Sequence, residues 1–262
     1  MNNLNNAYIN ALLADAAYVA NLTTLSGGAL AKQLAKRMTE PVANFIANNF
    51  EVIDQFDESE TGDYSGFDVT VWRGKSGTDY AGKVYLSFRG TEPGSTADYK
   101  ADADLAVNIA ARHQIMDMIN WYLRAITPID QMAKQFICEL ENDAGNSVTF
   151  DKSVSGTGTL LDVDAVQING HSLGGHLAAA FARIFGGSVS IDGIDTYNSA
   201  GFLKERSKQF FKELEEILQL GTTSFNQSQN NCYTVNGISI TTNDWYHNQI
   251  GERQEIFNKQ AA

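Results

Sequence analysis

The stretch VDAVQINGHSLGGHLAAAFARIFGG, residues 163–187, constrains the fold more than any other part of the chain. An apolar run gives way across glycines to an alanine-rich segment that itself ends on two glycines, which predicts a buried strand, a tight turn and a helix. Further on, SVSIDGIDTYN (188–198) predicts a second strand, GFLKERSKQFFKELEEILQLG (201–221) a helix and CYTVNG (232–237) a third strand. Strand and helix in alternation build a parallel sheet through right-handed crossovers. Upstream, FEVIDQF, FDVTVWRG and KVYLSFRG alternate apolar and polar residues between turn-rich segments and predict three strands of a meander or hairpin.

The chain opens helical. Leu4, Tyr8, Leu12, Asp15, Tyr18, Val19 and Leu22 recur at helical spacing, as do Leu30, Leu34 and Met38 and then Val42, Phe45 and Ile46. Thr39-Glu40-Pro41 reads as a cap followed by a proline-bearing first turn, which divides this second region into two helices. Residues 97–142 read as largely helical with a break near Thr127-Pro128, and residues 142–162, rich in Gly, Ser, Thr and Asp, read as loop. A chain of 262 residues, 43% hydrophobic with 3 prolines, has enough apolar surface for one sizeable core, so residues 1–262 are expected to form a single domain. The expected class is α/β: a mostly parallel sheet, helices on both faces, and a helical N-terminal region.

A net charge of -12 disfavours a nucleic-acid partner. Cys138 and Cys232 lie far apart and outside any close-spaced metal pattern, so they read as buried thiols, a disulfide being the alternative. No metal site is expected. The first 22 residues lack the basic start, continuous apolar stretch and small-residue cleavage site of a secretory signal, and no 18-residue apolar run predicts a transmembrane segment. The compartment is left open between the cytoplasm and export without an N-terminal signal.

Gly170-His171-Ser172-Leu173-Gly174 fits G-x-S-x-G, in which a serine sits on a tight strand-to-helix turn. Side chains at the two glycine positions would crowd the neighbouring strand or helix, so the glycines leave the Ser172 hydroxyl projecting above the sheet edge. The helix that follows aims its N-terminal amides at the same place, and the Leu173 N–H is a candidate oxyanion donor. The bare pattern arises by accident in about one chain in ten of this length; a preceding buried strand and a following alanine-rich helix cut that rate by at least about another order of magnitude. The bland alternative is a glycine turn with an idle serine.

The longer string NGHSLGGHLA resembles the nucleophile elbow of class 3 (fungal-type) lipases, and KVYLSFRGTE, residues 83–92, resembles the strand and F-R-G-T segment that lies upstream of the elbow in that family. IDTYNSAGF, residues 194–202, resembles a segment in the catalytic domains of secreted bacterial lipases that carry RTX repeats. The resemblance implies an α/β-hydrolase-like fold with a lid-like helical region, for which Ala97 to Ala111 is the candidate, an ordinary amphipathic helix being the alternative. It also implies that Thr91 supplies the second oxyanion donor and that substrates are lipid-like esters, met through transient contact with a lipid interface. A tetrahedral intermediate needs two or more preorganised donors, so a partner for Leu173 is required on physical grounds as well. Arg89 reads as a long cation tying the loop to an acidic partner.

In this fold the chain order is Ser, then acid, then His. Of the four histidines, His113 precedes the serine and reads as facing solvent or the lid region, His171 lies inside the turn, and His176 lies one turn along the helix, where it would reach the serine only by folding back. That leaves His247 as the candidate base, with a histidine beyond Ala262 as the alternative. Asp244, three residues before His247, is the candidate acid; Asp195 at the end of its strand is the second choice, and Asp192 is placed earlier in the same strand or its turn. The expected activity is hydrolysis of a lipid-like carboxylic ester, of triacylglycerol lipase or phospholipase A1 type, through an acyl-enzyme and without a cofactor. The alternative is a catalytically incomplete lipase-like domain or binding module.

Overall fold

The computed structural model describes residues 3–57, 65–90, 103–141, 145–219, 230–235, 247–248 and 252–256. Three helices come first: α1 (Asn3–Ala16), α2 (Gly27–Leu34) and α3 (Glu40–Asn49). A seven-stranded sheet follows, in the spatial order β1 (Phe50–Asp57), β2 (Asp68–Gly74), β3 (Val84–Phe88), β6 (Ala165–His171), β7 (Ser190–Tyr197), β9 (Asn230–Val235) and β11 (Glu252–Ile256). The first three strands form the expected antiparallel meander. From β3 onward all neighbours are parallel. The crossovers are α5 (Leu173–Phe185) between β6 and β7 and α6 (Lys204–Ile217) between β7 and β9, so the expected mostly parallel α/β arrangement is the observed one.

Because side chains alternate along a strand, the sheet has two chemically different faces. One presents Val69, Val71, Val84, Leu86, Phe88, Val166, Ile168 and Ile194 to α5, α6 and α4 (Ala103–Ala125), where they pack with Met118, Ile119, Phe181, Phe185 and Phe211. Each such side chain contributes about 1.5–3 kcal/mol by leaving water. The other face meets α1, α2 and α3. Towards the bottom it is apolar, with Trp72 and Tyr85 packed among Phe50, Leu30, Leu34 and Ile46. Higher up, one register row crosses six strands as Gln55, Thr70, Ser87, Asn169, Asp195 and Asn231, polar at every position.

That row is hydrogen-bonded to the helical layer and within itself. Gln55 donates to the Val19 carbonyl (2.8 Å) and to Thr70 Oγ1 (3.0 Å). Asn10 of α1 accepts from Asn169 at 2.9 Å and donates to Asp195 Oδ2 at 2.7 Å. Asn231 donates to Asp195 Oδ1 at 3.0 Å.

Two expectations are corrected. The buried side of α1 carries Ala7, Ile9, Asn10 and Leu13, with Leu12 packed beside them, while Tyr8 is 58% exposed, so Tyr8 is not part of the stripe that seats the helix. Residues 132–141 are not helix and 145–155 are not loop: β4 (Met132–Glu141) and β5 (Gly145–Ser155) pair as antiparallel strands. The helix before them ends where Thr127-Pro128 predicts, with the Thr127 hydroxyl bonded back to the Leu123 carbonyl at 2.6 Å. The division into α2 and α3 stands, with Thr39 at the N-cap and Pro41 in the first turn of α3. Both cysteines are buried free thiols, which removes the disulfide alternative.

Candidate active site

Strand β6 ends at His171 and α5 begins at Leu173, so Ser172 alone makes the join. Its backbone lies at φ +57°, ψ -122°, a region that costs an L residue about 1–3 kcal/mol. Surrounding bonds hold it there. The Ser172 amide donates to the Tyr197 carbonyl at the end of β7 (2.9 Å), and its carbonyl accepts from Gly175 (3.1 Å), His176 (3.3 Å) and Ala200 (3.3 Å).

The two motif glycines are sterically compelled. A Cβ on Gly170 would stand 2.2 Å from the Gly174 carbonyl oxygen, and one on Gly174 would stand 2.1 Å from that of Phe88.

Serine is favoured at helix N-caps because its hydroxyl bonds an amide of the first turn. Ser172 occupies the N-cap of α5 and makes no such bond, and it is only half-buried. Its hydroxyl is therefore not consumed in holding the helix. The first amides of α5, beginning with Leu173, have no carbonyl a turn earlier in the helix to bond, and they carry the positive end of the helix dipole.

Gly90 closes on this turn from the end of β3. A Cβ there would lie 2.6 Å from the His171 carbonyl oxygen, 2.9 Å from the Tyr18 hydroxyl and 3.0 Å from the Gly174 nitrogen, so the chain leaving β3 runs directly against the elbow. Arg89 pairs with Asp68 at 2.9 Å and ties this loop as expected. Thr91, the next residue in the motif, lies outside the described residues.

The histidines divide clearly. His171 Nδ1 is 3.3 Å from the Tyr18 hydroxyl, and burial lowers its pKa. His176 is buried in α5, stacked on Phe202 with ring centroids 3.8 Å apart and with Nδ1 3.3 Å from the Ala200 carbonyl oxygen. Burial pushes its pKa down to about 4, so it is neutral at pH 7. His113 is half-buried on α4.

His247 opens β10 (His247–Asn248), which pairs antiparallel with β8 (Phe202–Leu203), placing His247 opposite Leu203. Leu203 is three residues beyond Ala200, whose amide holds the Ser172 carbonyl. Asp244 lies outside the described residues.

Asp195 does not stand at a strand end. It lies two residues inside β7, faces α1, and has both oxygens engaged by Asn10 and Asn231, with Tyr233 a further hydrogen-bond partner. Burial raises its pKa. Asp192, exposed, sits at a register shift earlier in the strand. Of the lid candidate, residues 97–102 lie outside the described residues and 103–111 are the first turns of α4, whose later residues Ile115, Met118 and Ile119 are core. Tyr18 has no local signal as a residue of the site, since it reads only as an apolar residue at helical spacing; Asn10 lies outside the site, in the polar row beneath α1.

One helical turn from Ser172, a cleft is lined by the apolar side chains of Ala111, Ile115, Phe202, Phe210 and Phe211, with His176 and Arg112 on its walls. Among the described residues, no helix is long and apolar enough to cross a membrane.

No family model matches the chain, and no curated protein matches it. Solved structures do. The Lip2 lipase of Yarrowia lipolytica is 16% identical, with 97% of this chain and 78% of that one covered and a TM-score of 0.45. A lipase from Rhizopus microsporus var. chinensis is 12% identical, with 97% and 74% covered and a TM-score of 0.47.

Proposed function

We propose that the chain is a serine-type carboxylic ester hydrolase acting on lipid-like esters, of the triacylglycerol lipase or phospholipase A1 type. Ser172 Oγ attacks the acyl carbonyl while a histidine takes its proton. The amides of Leu173 and Thr91 hold the oxyanion, and collapse expels the alcohol, which takes the proton back from the histidine. Water, deprotonated by the same histidine, then attacks the acyl-enzyme and releases the carboxylic acid. The observation that carries this reading is the Ser172 hydroxyl: it sits on a positive-φ turn at the head of a helix and caps nothing.

Thr91 is favoured as the second donor because Gly90, its predecessor, packs on the elbow. His247 is favoured as base because its strand pairs with β8, next to the segment that braces Ser172, while the rings of His171 and His176 are engaged elsewhere. Asp244, three residues before it, is the acid of choice, since both oxygens of Asp195 are taken. The resemblance of NGHSLGGHLA and KVYLSFRGTE to class 3 lipases supports a lipid-like acyl group. The finer likeness to RTX-repeat lipases rests on IDTYNSAGF alone.

A fluorophosphonate probe and a p-nitrophenyl ester test the proposal. The expected result is an adduct on Ser172 and loss of at least about 10⁴-fold in kcat for Ser172→Ala and for His247→Ala. Full activity in His247→Ala moves the base elsewhere. Turnover no greater than buffer, with no adduct, leaves a lipase-like binding domain.

A further inference from the structure

Tyr18 lies beyond the end of α1, and its ring is fixed from two sides. The Arg37 guanidinium stands 4.3 Å from its centroid and that of Arg89 5.8 Å, each itself paired, Arg37 with Asp15 at 2.8 Å and Arg89 with Asp68 at 2.9 Å. The hydroxyl so held meets two groups. The Gly90 backbone N–H donates to its oxygen, and His171 Nδ1, inside the elbow, lies 3.3 Å away. A phenol has one proton to give and lone pairs to receive, so it satisfies both: it accepts from Gly90 and donates to the bare Nδ1 of a neutral His171. Burial lowers the His171 pKa, which favours the neutral ring, and in its Nε2–H tautomer Nδ1 is the acceptor this bridge requires.

We propose that Tyr18 is a positioning residue: its hydroxyl bridges Gly90, just beyond the end of β3, to the elbow at His171 and so sets the spacing between the Ser172 turn and Gly90. The role rests on the ester-hydrolase reading, in which Thr91, the residue after Gly90, supplies an oxyanion donor. The two walls of the site come from strands joined by a parallel ladder that stops at Phe88 and Gly170. Beyond that point the ladder no longer fixes their separation, and the Tyr18 bridge takes over. Displacement of a donor by about 1 Å is enough to cost on the order of 100-fold in rate.

Tyr18→Phe keeps the ring and its two cation contacts and removes only the bridge. Its kcat on a p-nitrophenyl ester is expected to fall about 10- to 100-fold with KM changed by less than about 2-fold. Tm is expected to stay near that of the wild type, and the imidazole ¹⁵N resonance of His171 Nδ1 to move. Asn10→Ser, which loosens α1 without touching the elbow, is expected to lower Tm and keep kcat. A wild-type kcat in Tyr18→Phe overturns the proposal, as does activity that falls in step with Tm in both variants. An unmoved Nδ1 resonance overturns the bridge itself. A wild-type protein inert to ester and probe overturns the hydrolase reading instead, so the two failures are told apart.

Discussion

The two faces of the central sheet are built from the same strands and do different work. Towards α4, α5 and α6 the strands offer branched and aromatic side chains, whose stabilisation is non-directional and scales with the area buried. Towards α1 they offer a row of amides, hydroxyls and one carboxylate, in which each bond requires a particular partner at a particular distance. An apolar face tolerates a helix shifted by a fraction of a turn with some loss of packing. The polar row does not, because a shifted Asn10 would break its bonds to Asp195 Oδ2 and to the Asn169 amide, both buried, at about 1–3 kcal/mol for each stranded group. Adhesion thus resides mainly on one face and register on the other, and the elbow stands where both end.

The comparison can be broken most sharply by truncation on the apolar side. Leu86→Ala, at a fully buried position, is expected to lower unfolding free energy by about 3–5 kcal/mol in urea titration; a loss under about 1 kcal/mol would mean that this face is not the main adhesive one. On the polar side, Asp195→Ala strands the amides of Asn10 and Asn231 and should cost about 3 kcal/mol. Pairing it with Asn10→Ala should be non-additive by about 1–3 kcal/mol, whereas Leu86→Ala and Asn10→Ala should simply add.

The pH dependence sharpens the same contrast. His176 on the apolar side has its pKa pushed down to about 4, so the unfolded chain binds the extra proton first. Its contribution to stability is full above about pH 6.5 and is lost as the pH falls towards 4, about 2 kcal/mol by pH 5. His171, also lowered, acts in the same direction. His176→Gln should flatten that part of the profile of Tm against pH. The smallest effect is expected at the edge of the polar row: Thr70→Val removes the hydroxyl that accepts from Gln55 and should cost about 1 kcal/mol in thermal unfolding.

Much of this is legible in the sequence. The strand, turn and helix around Ser172 are legible because a buried run, obligatory glycines and an alanine-rich stretch are all local signals. The β4–β5 pair is not. MAKQFICELE mixes helix-forming residues with apolar ones spaced three or four apart, and only pairing with a Gly-, Asn- and Ser-rich partner strand makes it extended. The polar row left a faint trace, with Asn169 and His171, Asp195 and Tyr197, and Asn231 and Tyr233 two apart on strands whose intervening residues turn to the opposite face. It becomes meaningful only once three parallel strands are in register. The serine and the amide after it are local features and could be named; an acid and a base brought in from distant loops have no local signature, and the Tyr18 bridge depends on three segments meeting.

The backbone angle at residue 172 also carries an evolutionary consequence. At φ +57° a glycine would sit without strain, so drift unconstrained by chemistry should carry this position towards Gly and gain about 1 kcal/mol in doing so. Serine held there across descendants of this gene, with stability forgone in each, would mark a hydroxyl that selection is using.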